Sequence, residues 1–372
     1  MKRSPKHNSE SQAALRMPAE WEPHEATWLA WPHYKNDWPG KFEPIPWVHA
    51  EIIRHLARHE RVELIVKDAA SERFARKVLD RANALSDNIR FHRWRTNRVW
   101  TRDSGCTFIA RVETAVPGRL GGCATRQLSA ITWRFNAWAK YPNYQHDAKI
   151  GGLMAEKATA SAIRPIRGKH QVVLEGGSID VNGRGTLLTT EECLLSKVQQ
   201  RNPGFKRGDY ENIFGKYLGI TNVIWLGSGI AGDDTHGHVD DITRFVARDT
   251  IVTAVESDRN DPNYDLLREN IRRLREATDQ DGKPLSIIEL PMPAPVVFEG
   301  RRLPASYANF YIANGLVLVP VFNDPNDRVA LDILADIFPD RDMVGIYSGD
   351  LIWGFGAMHC MTQQQPRAAS DL

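Results

Sequence analysis

Four short stretches of this chain carry residues whose types and spacing could do chemistry. They are Trp100-Thr-Arg-Asp103-Ser-Gly105, Glu175-Gly-Gly-Ser178, Asp233-Asp-Thr-His236-Gly-His238-Val-Asp240-Asp241 and Gly354-Phe-Gly-Ala-Met-His359-Cys360. Each lies at the end of an expected strand or in the loop after it. Together they supply a thiol, imidazoles and several carboxylates. Taken singly, each has a plain reading. Asp103 reads equally as a turn or helix-cap aspartate, and Glu175 as the end of a strand. Asp233, Asp234 and Gly237 are turn formers.

If the third stretch is extended, His236, His238 and Asp240 share a face, because side chains alternate along a strand. That leaves two chemical readings open: a metal site with H-x-H-x-D as ligands, or a His–Asp pair in a nucleophilic site. His55 and His59, one helical turn apart, could also ligate zinc. Leu56 stands where a metalloprotease helix carries its glutamate, so they read as structural. The cysteines Cys106, Cys123, Cys193 and Cys360 form no C-x-x-C pair, which argues against a zinc finger or a disulfide framework. Cys106 and Cys193 adjoin apolar runs and read as small core residues. Cys360, among glycines, a histidine and glutamines, reads as part of a site loop.

A thiol, a histidine and two or three carboxylates suit a planar cationic substrate. A guanidinium presents its N–H donors in a flat fork, which carboxylates match with paired hydrogen bonds. Two aspartates could clamp it while a thiolate attacks the carbon from above the plane. The same carboxylates raise the thiol pKa, and the arriving cation lowers it again. A histidine can then protonate the departing ammonia and activate water. This chemistry needs neither a metal nor an organic cofactor. The partner it implies is a small cationic guanidine.

Positioning such a set requires a regular scaffold, and the chain repeats a helix-then-strand unit. Trp47–Glu60 is expected as a helix before a strand at Arg61–Val66, and 70–94 as a further helix–strand pair. A helix near 149–162 leads toward Val172–Leu174. Tyr210–Tyr217, Asn263–Arg275 and Val329–Ile337 precede strands at Val223–Leu226, Ser286–Leu290 and Met343–Tyr347. Strands at Phe245–Val255 and Tyr307–Phe322 come before the last two helices. Five or six such blocks indicate α/β architecture, whose strand ends would converge on one axis if the blocks form a propeller.

With 372 residues, of which 42% are hydrophobic and 25% charged, the chain can bury a large core. Its net charge of +2 gives no electrostatic case for nucleic acid or an anionic membrane. It has no apolar run long enough to span a bilayer. Residues 1–16 read as a flexible tail without a signal peptide's apolar centre, so a cytoplasmic protein is expected. Residues 17–372 lack a dividing linker and read as a single domain. Five of the eleven tryptophans occur by Trp47. Trp21–Pro32 reads as an edge strand with aromatic cover, either over the core or at a subunit contact in a homo-oligomer.

MPAEWEPH (17–24), WTRDSG (100–105), RFNAW (134–138), LEGGS (174–178), DTHGHVDDITRF (234–245), SYANFYIANGLVLVP (306–320) and HCMTQQQP (359–366) resemble the agmatine deiminase family. That family includes the bacterial-type peptidylarginine deiminases. The resemblance implies the pentein fold, a five-bladed α/β propeller with pseudo-five-fold symmetry. It also implies hydrolysis of agmatine to N-carbamoylputrescine and ammonia, a step of putrescine and polyamine metabolism. Cys360 is similar to the nucleophile that forms the amidino-thioether, and His238 to the general acid/base. Asp103 and Asp240 resemble the guanidinium clamps. Glu175 resembles the carboxylate that binds a guanidinium nitrogen and orients the histidine. Trp100 would border the substrate channel, and His236 acquires no role. The sequence departs from the family's G-G-G-N-I-H-C loop at Phe355 and Ala357, and Ala139 stands where glycine is usual. These changes fall near the substrate's far end. Arginine or a C-terminal arginine would need a cation there, and Arg102, Arg244 and Arg301 are candidates.

Overall fold

A computed structural model describes residues 14–112 and 127–368. It contains five sheets of three or four strands, and one pattern recurs in them. Two strands pair antiparallel, and a helix connects one of them to a parallel neighbour. In sequence order the antiparallel pairs are Thr107–Val112 with Gln127–Ile131, Asp180–Val181 with Thr186–Thr190, Thr243–Phe245 with Thr250–Val255, and Tyr311–Ala313 with Leu316–Val321. The parallel partners are Ser161–Ile163, Asn222–Leu226, Ser286–Pro291 and Asp342–Tyr347. The fifth sheet joins the two ends of the chain. Gln363–Pro366 lies antiparallel to His24–Ala30, which runs parallel to Arg61–Val66 and then Ile89–Arg93. Ala14–Arg16 pairs with Thr107–Val112, so the last three residues of the expected tail belong to a sheet. The rest of that tail lies outside the described residues, as does Cys123.

The helices form where the apolar periodicity places them. Ile45–His59 buries Ile45, His49, Ile52, Ile53 and Leu56 on one face. Each fully buried Ile or Leu contributes roughly 1.5–3 kcal/mol. Arg207–Leu218 ends at Gly219, whose φ of 74° closes the helix in the left-handed region. Ile150–Lys157 leads to Ser161–Ile163 and not to Val172–Leu174; that segment makes only an isolated bridge, from Val173 to Arg134. Phe245–Val255 and Tyr307–Phe322 are hairpins, not single strands, because each turns back after three residues of its first strand. His24–Ala30 is an inner strand, not an edge one. Trp28, Trp31 and Trp38 are fully buried and pack in the largest core cluster, so this part of the tryptophan-rich start covers the core. Among the described residues, no helix is long and apolar enough to cross a membrane.

In each of these five sheets one short helical turn stands just before a strand of the antiparallel pair. These are Thr101–Ser104, Gly176–Ser178, Val239–Asp241, Tyr307–Asn309 and Met358–Met361. Each turn touches the next in chain order, and the last returns to the first. Four of the turns carry or directly follow a sequence-predicted site residue, and all five meet at one place.

Candidate active site

The closed circle of turns brings Asp103, Glu175, His238, Asp240 and Cys360 together, all buried. Cys360 Sγ lies 3.7 Å from Asp240 Oδ2. His238 has Nδ1 3.9 Å from Asp103 Oδ2 and Nε2 3.7 Å from Glu175 Oε2. Trp100 is buried beside them and lines, with Asp103 and Cys360, a cavity of about 640 Å³.

Every carboxylate is aimed by neighbours. Asp103 accepts from the Gly177 amide at 3.0 Å and from Trp138 Nε1 at 2.8 Å. Trp138 reaches it because Ala137, Trp138 and Ala139 all sit in the left-handed region, with φ of 52°, 58° and 54°. Such a conformation costs roughly 1–2 kcal/mol per residue and survives only where surrounding contacts enforce it. Glu175 is held by Arg201 Nε, 3.2 and 3.3 Å from its two oxygens. Asp240 Oδ2 meets His359 Nδ1 at 2.7 Å, and His359 Nε2 meets Glu20 at 2.8 Å. Behind them, Arg244 binds Asp180 at 2.6 Å and Glu20 at 2.9 Å.

The electrostatics divide the site. Burial pushes the Glu175 carboxyl up, but the Arg201 guanidinium and His238 outweigh it and hold Glu175 below the usual carboxylate range. Burial likewise opposes the charge on Asp240, and His359 overcomes it. Asp103 is raised by burial against the pull of His238. Asp241, beside Asp240, is raised by burial and by its neighbour's charge. The Cys360 thiol is pushed well up by burial and by Asp240, Asp241 and Asp103. His238 stands well above its ordinary value; burial opposes the charged ring, but Asp103 and Glu175 stabilise it. The site therefore combines a neutral thiol, an imidazolium and surplus carboxylate. Among the described residues, Asp240 Oδ1 and both ring nitrogens of His238 are buried without a hydrogen-bond partner. Buried polar atoms are rarely left so, and a flat cation would satisfy Asp240 Oδ1.

Several contributors carried no distinctive sequence signal. Asn309 donates to Cys360 Sγ at 3.1 Å and to Asp241 at 2.8 Å, while its Oδ1 accepts from the His359 amide at 3.0 Å. Its only signal was its place in the SYANFY block. Arg201 lies outside every motif, whereas Glu20 and His359 stand within the MPAEWEPH and HCMTQQQP blocks but acquired no role there. Gly177 is explained by space: a Cβ there would stand 2.5 Å from His238 Nδ1 and 3.0 Å from Asp240 Oδ2. Gly177→Ala should therefore leave the fold intact and lower kcat by about 10²-fold or more, since displacements near 1 Å cost that much. Steady-state rates beside a thermal unfolding curve check this.

The set of three ligands His236, His238 and Asp240 does not form. The segment is not extended: His236 and Gly237 have φ of 64° and 93°, and a tight turn follows. His236 points to Ser196 Oγ at 3.1 Å and Glu192 at 3.5 Å. His55 and His59 also part, toward Glu51 and Asp342. Cys106 is a core residue. Cys193 belongs to a core cluster too, yet its sulfur, Glu175 and His238 present ligand atoms within 4.8 Å of one another. Of the candidate substrate-facing arginines, Arg102 is tied to Gln364 and Glu20, and Arg244 to Asp180 and Glu20; Arg301 lines the cavity.

The family model for Porphyromonas-type peptidyl-arginine deiminase matches residues 16–366. An agmatine deiminase of Medicago truncatula is 35% identical, over 96% of this chain and 98% of that protein. The solved agmatine deiminase of Enterococcus faecalis is 29% identical with a TM-score of 0.85, covering 96% of this chain and 97% of that one. A substrate-bound agmatine deiminase of C. jejuni is 26% identical with a TM-score of 0.82, covering 98% of this chain and 100% of that one. The match runs the length of the protein and takes in every turn that meets at the site: the chain belongs to the Porphyromonas-type peptidyl-arginine deiminase family, as a homologue of its agmatine deiminases, hydrolases that act on guanidino groups.

Proposed function

We propose that this protein hydrolyses agmatine to N-carbamoylputrescine and ammonia through a covalent amidino-cysteine intermediate. The observation that carries this reading is the unpaired Asp240 Oδ1 in a buried site that holds a thiol 3.7 Å from the same carboxylate. Asp103 and Asp240 clamp the guanidinium edges, and Glu175 takes a further N–H. Cys360, which lines the cavity, releases its proton to the cavity's water as the cation arrives, and the sulfur bonds to the guanidinium carbon. The C–N bond to one terminal nitrogen then breaks, with His238 donating the proton that releases ammonia. Water attacks the amidino-thioether, giving its proton to His238. The C–S bond breaks and leaves the urea group and the free thiol.

The five sheets serve this chemistry as the blades of a five-bladed α/β propeller with pseudo-five-fold symmetry, in one domain over residues 17–372. The closed circle of turns supports that reading, because each sheet delivers its leading turn to a common centre. No step above calls on a metal or an organic cofactor.

The test is to mix enzyme and agmatine, quench in acid, and weigh the peptide containing Cys360. Ammonia and N-carbamoylputrescine should appear in equal amounts, with a transient amidino adduct on Cys360. A chelator should leave the rate unchanged. Turnover that a chelator stops, with Cys360 unmodified, would favour a metal-dependent hydrolase instead.

A further inference from the structure

One of the five turns that meet at the site carried no expected residue. It is Tyr307–Asn309, and it delivers the buried Asn309 side chain to the sulfur of Cys360. Neighbours fix the turn. The Ser306 hydroxyl accepts from the Ala308 amide at 3.2 Å, and the Tyr307 hydroxyl donates to Asp327 at 2.7 Å. The Phe310 carbonyl, just after the turn, accepts from Arg244 Nη1 at 2.8 Å.

A side-chain amide has two acceptor lone pairs and two N–H donors, and all four are engaged at Asn309. Oδ1 accepts from the backbone amides of His359 at 3.0 Å and Cys360 at 3.4 Å. Nδ2 donates to Asp241 Oδ1 at 2.8 Å and to Cys360 Sγ at 3.1 Å. A reversed amide would set N–H against N–H and oxygen against a carboxyl group, so the neighbours dictate its orientation. Its two ends have different tasks. Oδ1 caps the turn Met358–Met361, which receives no side-chain cap from its own first residue. That architectural task does not require an N–H on sulfur.

The N–H counts because the carboxyl groups around the sulfur oppose its charge. Asp240 Oδ2 lies 3.7 Å away, and an oxygen of Asp241 lies within 4.8 Å. Burial, Asp240, Asp241 and Asp103 push the thiol up, and the hydrogen bond from Asn309 pulls it back. A donor is worth roughly twice as much to a charged acceptor as to a neutral one. Asn309 therefore favours thiolate over thiol.

We propose that Asn309 is a further catalytic residue, whose Nδ2–H stabilises the Cys360 sulfur whenever that atom carries negative charge. It does so twice in a cycle. The thiolate gives an electron pair to the guanidinium carbon in the first step, and sulfur recovers that pair when water has attacked and the C–S bond breaks. Asn309 forms no covalent bond and neither gains nor loses a proton. The proposal deepens the deimination reading and rests on it for turnover, but not for ionisation of the thiol.

The test reads the ionisation of Cys360 directly. Wild type, Asn309→Leu and Asn309→Asp are treated with iodoacetamide over a range of pH without ligand, and the peptide containing Cys360 is weighed. Leucine matches the branching of asparagine and removes both of its polar atoms. Aspartate keeps an oxygen for the amides of His359 and Cys360 and removes the N–H from sulfur. In both variants the alkylation curve should move to higher pH. Below its midpoint the rate at a given pH should fall by about 10-fold, the size of one hydrogen bond to a charged group. The kcat for agmatine should fall by about 10-fold or more. Unfolding has the opposite sign, since an exposed cysteine reacts faster. Curves that overlay the wild type, or faster alkylation in Asn309→Asp, overturn the proposal. Calorimetry with agmatine should give Cys360→Ala the same affinity with and without Asn309→Leu; a loss of affinity with kcat preserved overturns the proposal too. If the wild type turns over no guanidine while the alkylation curves shift, the deimination reading fails and the action of Asn309 on sulfur stands. If the wild type deiminates agmatine and both variants match its kcat, the proposal fails and the reading stands.

Discussion

Cys360→Ala should lower ammonia release from guanidine substrates by 10⁴-fold or more, on the order seen when a covalent nucleophile is removed. The structure sets this thiol beside both the Asp240 carboxylate and the cavity. The fold should be untouched, because alanine fills part of the same buried space and loses only the sulfur's contacts with Asn309 and Asp240. Agmatine should still bind this variant, since the carboxylates remain. Full activity would end the proposed mechanism. The same geometry predicts an unusual chemical property in the wild type. Burial and three nearby carboxyl groups keep the thiol neutral when no cation is present. Iodoacetamide should therefore alkylate Cys360 in the free enzyme more slowly than it alkylates an ordinary exposed cysteine at neutral pH, because the thiolate is the reactive form. Rapid alkylation in the absence of ligand would show that substrate is not needed to activate the sulfur.

His238→Asn should lower kcat by about 10²–10⁴-fold, the usual contribution of a general acid–base residue. The sign of its pH dependence follows from its surroundings. Burial disfavours the imidazolium, but Asp103 and Glu175 outweigh it and raise the pKa well above the ordinary value. His238 is then protonated throughout the neutral range, ready to donate to departing ammonia, and loses that proton only as the pH rises through its elevated pKa. Wild-type kcat should accordingly fall on the alkaline side, and His238→Asn should lack that limb. Asp103 acts at the other end of the range. Its carboxyl is raised by burial, so it protonates earlier as the pH falls than an ordinary aspartate does. KM should rise there before any loss of fold. An alkaline limb that survives in His238→Asn would assign it to another group.

Much of the site was legible in the sequence because its parts are local. Asp103, Glu175, His238, Asp240 and Cys360 each stand in a short stretch that interrupts an apolar pattern, and a thiol among carboxylates and histidine has a narrow range of uses. The helix-and-strand order was legible for the same reason, since burial of one helix face or one run of strand leaves its period in the sequence. Tyr210–Tyr217 and Asn263–Arg275 were recognised from that period and are helical.

What the residues by themselves determined was the inventory: α/β elements, and a thiol, imidazoles and carboxylates that suit a guanidinium while leaving a metal site open. Tertiary structure decided which groups meet. It turned His236 away from His238 through left-handed backbone that no alternation rule anticipates. It brought Asn309 and His359 to Cys360 and Asp240 from separate turns. It also tied Arg102 and Arg244 into buried ion pairs with Glu20 and Asp180. The physical reason is the same in each case. Spacing along a chain reports which face of one element is buried, whereas charge pairing and cavity shape depend on atoms from elements far apart in sequence.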